Sequence, residues 1–141
     1  MYQTPGFMIR VLQIQIFERF FNHFADQKIS PVEYAILVTV RDNPTMTQSE
    51  LAAVLKMKLP NLVNILSKME AARILRRRRS AKDRRAIELS LTQSGQSKTS
   101  QAAALGDLFN AQTLAALSKH EQAAFLQMLG RLLEAPKIGP A

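Results

Sequence analysis

The sequence predicts a mainly helical (α+β) fold in which a helix-turn-helix and a short β-hairpin are framed by an N-terminal and two C-terminal helices. Three observations predict it. Serine- or threonine-led capping boxes open successive helices, a single stretch alternates with period two, and almost all of the net charge falls between those two patterns. The 141 residues fit one compact domain. A 47% hydrophobic content supplies a core, and 21% charged residues excludes a disordered basic chain.

The first segment, residues 7–25, places Gln15, Glu18, Arg19, Asn22 and Asp26 on one helical face. Ile9, Ile16, Phe17, Phe20, Phe21 and Phe24 lie opposite. So wide a phenylalanine stripe exceeds what a terminal helix of a small domain needs, and it predicts burial against a second subunit. Ser30-Pro31-Val32-Glu33 combines an N-cap, a first-turn proline and a glutamate three positions on, and starts a helix that stops at Asp42-Asn43-Pro44. Thr47-Gln48-Ser49-Glu50 repeats the box for a short helix. Lys56–Lys58 is a tight connection, and Pro60 lies in the first turn of the next helix, LPNLVNILSKMEAA. Two helices joined so closely read as a helix-turn-helix.

Residues 74–79 and 86–91 then form a β-hairpin. Ile87, Leu89 and Leu91 alternate with Glu88 and Ser90, whereas Arg76–Arg79 alternate poorly, because four arginines in a row cannot all avoid the sheet face. Thr92 caps a long helix through about Gln112. Ser118-Lys119-His120-Glu121 is a third capping box, opening a helix through Leu133, and the tail APKIGPA is expected to fray.

Charge narrows the function. There are 19 Lys+Arg against 11 Asp+Glu, a net +8 with a pI near 10.3. Residues 73–85 hold eight basic groups against Asp83 alone, which is seven of the eight net charges. Like charges so crowded weaken an isolated fold and suit a dense anion array. A lipid-binding patch would flank an anchor or lie on an amphipathic helix, so a nucleic-acid backbone is the better partner and no membrane is expected. There is no cysteine, the two histidines, His23 and His120, are far apart, and no nucleophile–base pair or Gly-rich phosphate loop is present. The expectation is therefore a protein with no metal, no cofactor and no enzymatic activity. Without a membrane span or a signal peptide, it is expected to be cytoplasmic.

The motifs in order resemble the MarR family of winged helix-turn-helix regulators. Lys82-Asp83-Arg84-Arg85-Ala86 is similar to its D-x-R wing signature, and Leu91-Thr92-Gln93-Ser94-Gly95 to the L-T-x-x-G that opens the next helix. Ser30-Pro31-Val32-Glu33-Tyr34 and Thr47-Gln48-Ser49-Glu50-Leu51-Ala52 resemble the second helix and the entry to the helix-turn-helix. The resemblance spans about residues 7–134. Arg73 departs from it, standing where the family has the glycine that closes the recognition helix. A left-handed residue costs about 1–2 kcal/mol without glycine, so the helix end is expected to differ slightly or to continue into Arg73.

The resemblance implies one MarR-type domain over 1–141, with 7–27 and 93–134 as dimerisation helices, 30–92 as the DNA-binding lobe and 74–91 as its wing. It implies a homodimer on double-stranded DNA at a pseudo-palindromic operator, with half-site centres about 34–36 Å apart. Asn61 and Asn64, three apart on one face, are candidates for bidentate adenine contacts. Thr47, Gln48, Lys58 and Lys68 are candidates for phosphate contacts. Arg84 and Arg85 at the hairpin tip suit a narrow minor groove, with Asp83 expected to pair with an arginine and fix its direction; the alternative is a turn-forming aspartate among solvated arginines.

Arg10 and Gln13 fall on the apolar side of the first helix, one turn before Phe17. A buried arginine needs a counter-charge. Arg10 with Gln13, Phe17 and Tyr34 is thus a candidate site for a small aromatic or carboxylate effector, of the kind the family binds between its dimerisation helices and DNA-binding lobe. The alternatives are an acidic partner across the dimer interface, or an exposed helical end. His23 reads as structural and the six methionines as core fillers. The expected function is sequence-specific transcriptional repression released by such a ligand. The alternative is a basic interaction module that binds nucleic acid non-specifically or docks an acidic protein.

Overall fold

The computed structural model describes residues 4–134; the tail expected to fray lies outside them. The elements are α1 (Pro5–His23), a 3-10 turn (Ala25–Gln27), α2 (Pro31–Asp42), α3 (Gln48–Val54), α4 (Leu59–Ala71), β1 (Leu75–Arg79), β2 (Ile87–Leu91), α5 (Gln93–Thr113) and α6 (Lys119–Glu134). Residues up to Asp107 form one compact unit and those from Leu108 a second. No helix among the described residues is long and apolar enough to cross a membrane.

All three expected capping boxes are present. Ser30 Oγ accepts from the Glu33 amide while Glu33 accepts from the Ser30 amide, and Thr47 with Glu50 and Ser118 with Glu121 repeat the exchange. Each pair satisfies two amides that a helix start leaves without intrahelical partners. These bonds to the ionised form hold the Glu50 and Glu121 carboxyls below their ordinary range.

The core of the first unit is made by Ile36, Leu37 and Val40 of α2, Leu51 and Ala52 of α3, and Leu62, Leu66 and Met69 of α4, roofed by Leu75 and Leu89 of the hairpin. The hairpin is antiparallel, with Leu75 opposite Leu91, Arg77 opposite Leu89 and Arg79 opposite Ile87. Thr47 bridges Glu88, and the Leu89 amide donates to the Met46 carbonyl at 2.9 Å, so the start of α3 is stitched to β2. In the second unit, Gln122 Nε2 donates to the carbonyls of Leu114 and Leu117 and ties down the connection into α6.

The first helix begins and ends two residues earlier than its hydrophobic pattern predicts, with Pro5 in its first turn and Phe24 as its C-cap. Only Phe20 of α1 is buried, stacked on Phe24 at 4.1 Å; Ile9, Phe17 and Phe21 stay exposed in the single protomer. Of the methionines, Met69 is buried but Met8 and Met128 are exposed, so gap filling describes only part of the set.

Candidate nucleic-acid interface

The recognition helix α4 separates its faces cleanly. Leu62, Leu66 and Met69 are buried and Ile65 half-buried, while Lys58, Asn61, Asn64 and Lys68 are exposed. Lys58 is the N-cap and makes no side-chain capping bond, since an ammonium has no acceptor to offer the helix amides. The side-chain amides of Asn61 and Asn64 make no hydrogen bond among the described residues. At the start of α3, the Thr47 hydroxyl accepts from the Glu50 amide and donates to the Glu50 carboxylate at 2.9 Å. Gln48 is half-buried, and its Oε1 has no hydrogen-bond partner among the described residues.

The helix does not continue into Arg73. Ala72 is its C-cap, and Arg73 takes the left-handed conformation at φ 57°. The Arg73 amide donates to the Glu70 carbonyl and the Ile74 amide to the Met69 carbonyl, both at 2.9 Å, which is the Schellman pattern. The expectation of a displaced or longer end is thus corrected, and the physical reason lies 19 residues downstream. The Thr92 hydroxyl donates to the Arg73 carbonyl at 2.6 Å, and the Thr92 amide donates to the Ile74 carbonyl at 3.0 Å. A Cβ on Gly95 would run into that same Ile74 carbonyl. The L-T-x-x-G segment therefore clamps the end of the recognition helix to the start of α5, tightly enough to hold an arginine where glycine is cheaper. A cation at a helix C-terminus also offsets part of that cost. Lys56, at φ 53°, closes α3 with the same pair of bonds.

In the wing, one of the four consecutive arginines turns inward. Arg77 donates from Nε and Nη2 to Glu70 Oε2 at 2.9 and 2.7 Å, and its amide donates to Glu70 Oε1 at 3.1 Å. These bonds hold the Glu70 carboxyl below its ordinary range. Arg77 thus fastens the wing to the end of α4, a role that sequence reasoning missed. The side chains of Arg76, Arg78, Arg79, Arg84 and Arg85 are exposed and form no ion pair with an acid among the described residues. At the tip, the buried Ser80 accepts on Oγ from the amides of Lys82 and Asp83, and its own amide donates to the Ala86 carbonyl. Asp83 does not pair with an arginine side chain. Its Oδ1 accepts from the Arg85 backbone amide at 2.9 Å, an Asx turn. The turn-forming alternative is what the structure shows, and it leaves the guanidinium groups of Arg84 and Arg85 unclaimed.

The four effector candidates are not assembled as expected. Arg10, Gln13 and Phe17 share a face of α1 but are exposed, because the lobe covers only the last turns of that helix. Within the single protomer Arg10 is exposed, as in the alternative of an exposed helical end. Tyr34 is half-buried, and the rings it meets are Phe20 and Phe24, at 5.8 and 5.3 Å. Its hydroxyl fills the space a Cβ on Gly106 would occupy, and burial followed by the charge of Asp107 raises its pKa. His23 Nε2–H donates to the Leu105 carbonyl at 2.9 Å, the structural role expected of it.

Known proteins share this arrangement. Residues 27–86 match the model of the MarR family. The transcriptional regulator HosA of Escherichia coli O127:H6 is 28% identical over 101 residues, which cover 72% of this chain and 75% of HosA. The transcriptional repressor CouR bound to a 23-mer DNA duplex superposes with a TM-score of 0.88 at 27% identity, covering 94% of each chain. CouR bound to p-coumaroyl-CoA superposes at 0.84 and 25% identity, over 95% of this chain and 94% of that one. The helix-turn-helix and most of the clamped wing lie within the match to the MarR family, and the likeness to these transcriptional regulators extends over nearly the whole chain.

Proposed function

We propose that this protein is a homodimeric, sequence-specific DNA-binding repressor of the cytoplasm, released by a small aromatic or carboxylate molecule. One observation carries the reading. An exposed pair of asparagines on α4 lies in the same unit as a wing whose tip guanidinium groups form no ion pair among the described residues. Asn61 and Asn64 read adenine edges. Thr47, Gln48, Lys58 and Lys68 hold phosphates, and Arg84 and Arg85, on the loop ordered by Asp83, enter the minor groove. Residues 30–92 form the DNA-binding lobe of a single 1–141 domain. The exposed apolar faces of α1 and α6 are each covered by a second copy. DNA in the CouR complex and p-coumaroyl-CoA in its ligand complex support both halves of the reading.

In this reading Arg10 supplies the counter-charge for an effector acid, Gln13 and Phe17 flank it on the same helical face, and Tyr34 contributes a ring from α2. The effector acts only so far as it prefers the conformation that does not fit the operator. Salt titration on a duplex selected from a randomised pool and on its scrambled version tests the DNA reading. The selected duplex is expected to bind about 10³-fold tighter or better. Equal affinity with the same steep salt slope on both duplexes would instead establish the non-specific basic module. Arg10→Ala is expected to retain operator binding and lose the response to aromatic acids; dissociation into monomers would place Arg10 in the subunit interface.

A further inference from the structure

The first turn of α4 is built unlike an anion-binding helix start. Such a start offers free backbone amides to phosphate. Here the Asn61 amide, normally free at a helix start, donates back to the Lys58 carbonyl at 3.1 Å, and Pro60 between Leu59 and Asn61 has no amide proton at all. The backbone of the turn that leads the recognition helix therefore offers a phosphate few amides, and the turn presents an exposed pyrrolidine ring. Counted at about 100° per residue, Pro60 lies one turn before Asn64 on the face opposite Leu62, Leu66 and Met69. Leu59 points well away from that face. Ala71, the other apolar residue there, lies about 16 Å further along the helix.

We propose that Pro60 is a specificity-determining residue that reads the C5 methyl group of a thymine in each half-site, beside the adenine contacted by Asn64 or Asn61. An apolar group against this methyl is how thymine is distinguished in the major groove, and adenine offers asparagine its paired donor and acceptor. The half-site recognised is thus one in which a thymine neighbours an adenine. The inference rests on the proposed reading of α4 as the base-reading helix.

The full-length protein is first used to select duplexes from a randomised pool. Each thymine of the selected half-site is then replaced in turn by deoxyuridine, which removes the methyl group and nothing else. One replacement is expected to weaken binding of the wild-type protein by roughly three- to fivefold per half-site. Pro60→Ser is expected to bind the thymine duplex with a similar loss and to be indifferent to that replacement, with an unchanged melting temperature; Pro60→Ala serves if the serine variant does not fold. A wild-type protein indifferent to every uracil overturns the proposal while leaving specific binding intact. A penalty that persists in both variants assigns the methyl to another residue and also overturns it. A pool that yields no preferred sequence is a different result, and it removes the proposed function itself.

Discussion

Leu51, Leu62 and Leu66 of the winged lobe have no exposed surface within one protomer, whereas Phe7, Phe17 and Phe21 of α1 and Leu126, Leu132 and Leu133 of α6 stand 41–79% exposed. Both regions are rich in large apolar side chains, yet the lobe hides most of its own while α1 buries only Phe20. The difference teaches where folding ends and assembly begins. The lobe is held by local capping and a shared core, while α1 and α6 each carry large apolar side chains that stay open to water in the single protomer.

Substitutions on the two sides should therefore fail differently. The largest effect is expected from Leu66→Ala, which should lower the unfolding free energy by about 2–5 kcal/mol in urea denaturation. A loss below about 1 kcal/mol would mean that the lobe does not depend on this core. Phe21→Glu should leave the helical circular dichroism signal in place and raise the dimer dissociation constant at least tenfold, about 1.4 kcal/mol, in sedimentation. If it unfolds the protomer instead, the division between lobe and assembly surface is wrong. The smallest effect sharpens the account of the clamp. Arg73→Gly should stabilise the protein by about 0.5–1 kcal/mol, the relief of a left-handed arginine less the lost cation at the helix end. Destabilisation would show that the arginine side chain itself secures the turn.

What could be read from the sequence was local. The three capping boxes, the prolines at the helix starts and the period-two run of β2 each depend on residues within four positions, and each formed where its chemistry placed it. Long-range effects were not legible. The conformation of Arg73 is fixed by Thr92 and by the missing side chain of Gly95, which local propensity does not register. Glu70 and Arg77 are seven apart across a helix end and a strand, where no face count pairs them. A helical wheel placed Arg10 among apolar residues without showing whether anything covers them. Asp83 had to be chosen between an arginine and a turn, and the nearby backbone amide prevailed over a flexible guanidinium.

The claim at the centre is that the wing tip is shaped to hold a duplex and contributes nothing to the fold that holds it. Arg85→Ala tests this most directly, measured as affinity for the selected duplex alongside the melting temperature. The account predicts a loss of about tenfold or more in affinity, roughly 1–3 kcal/mol, with an unchanged melting temperature and dimer constant. An unchanged affinity, or a loss that only follows unfolding, would contradict it.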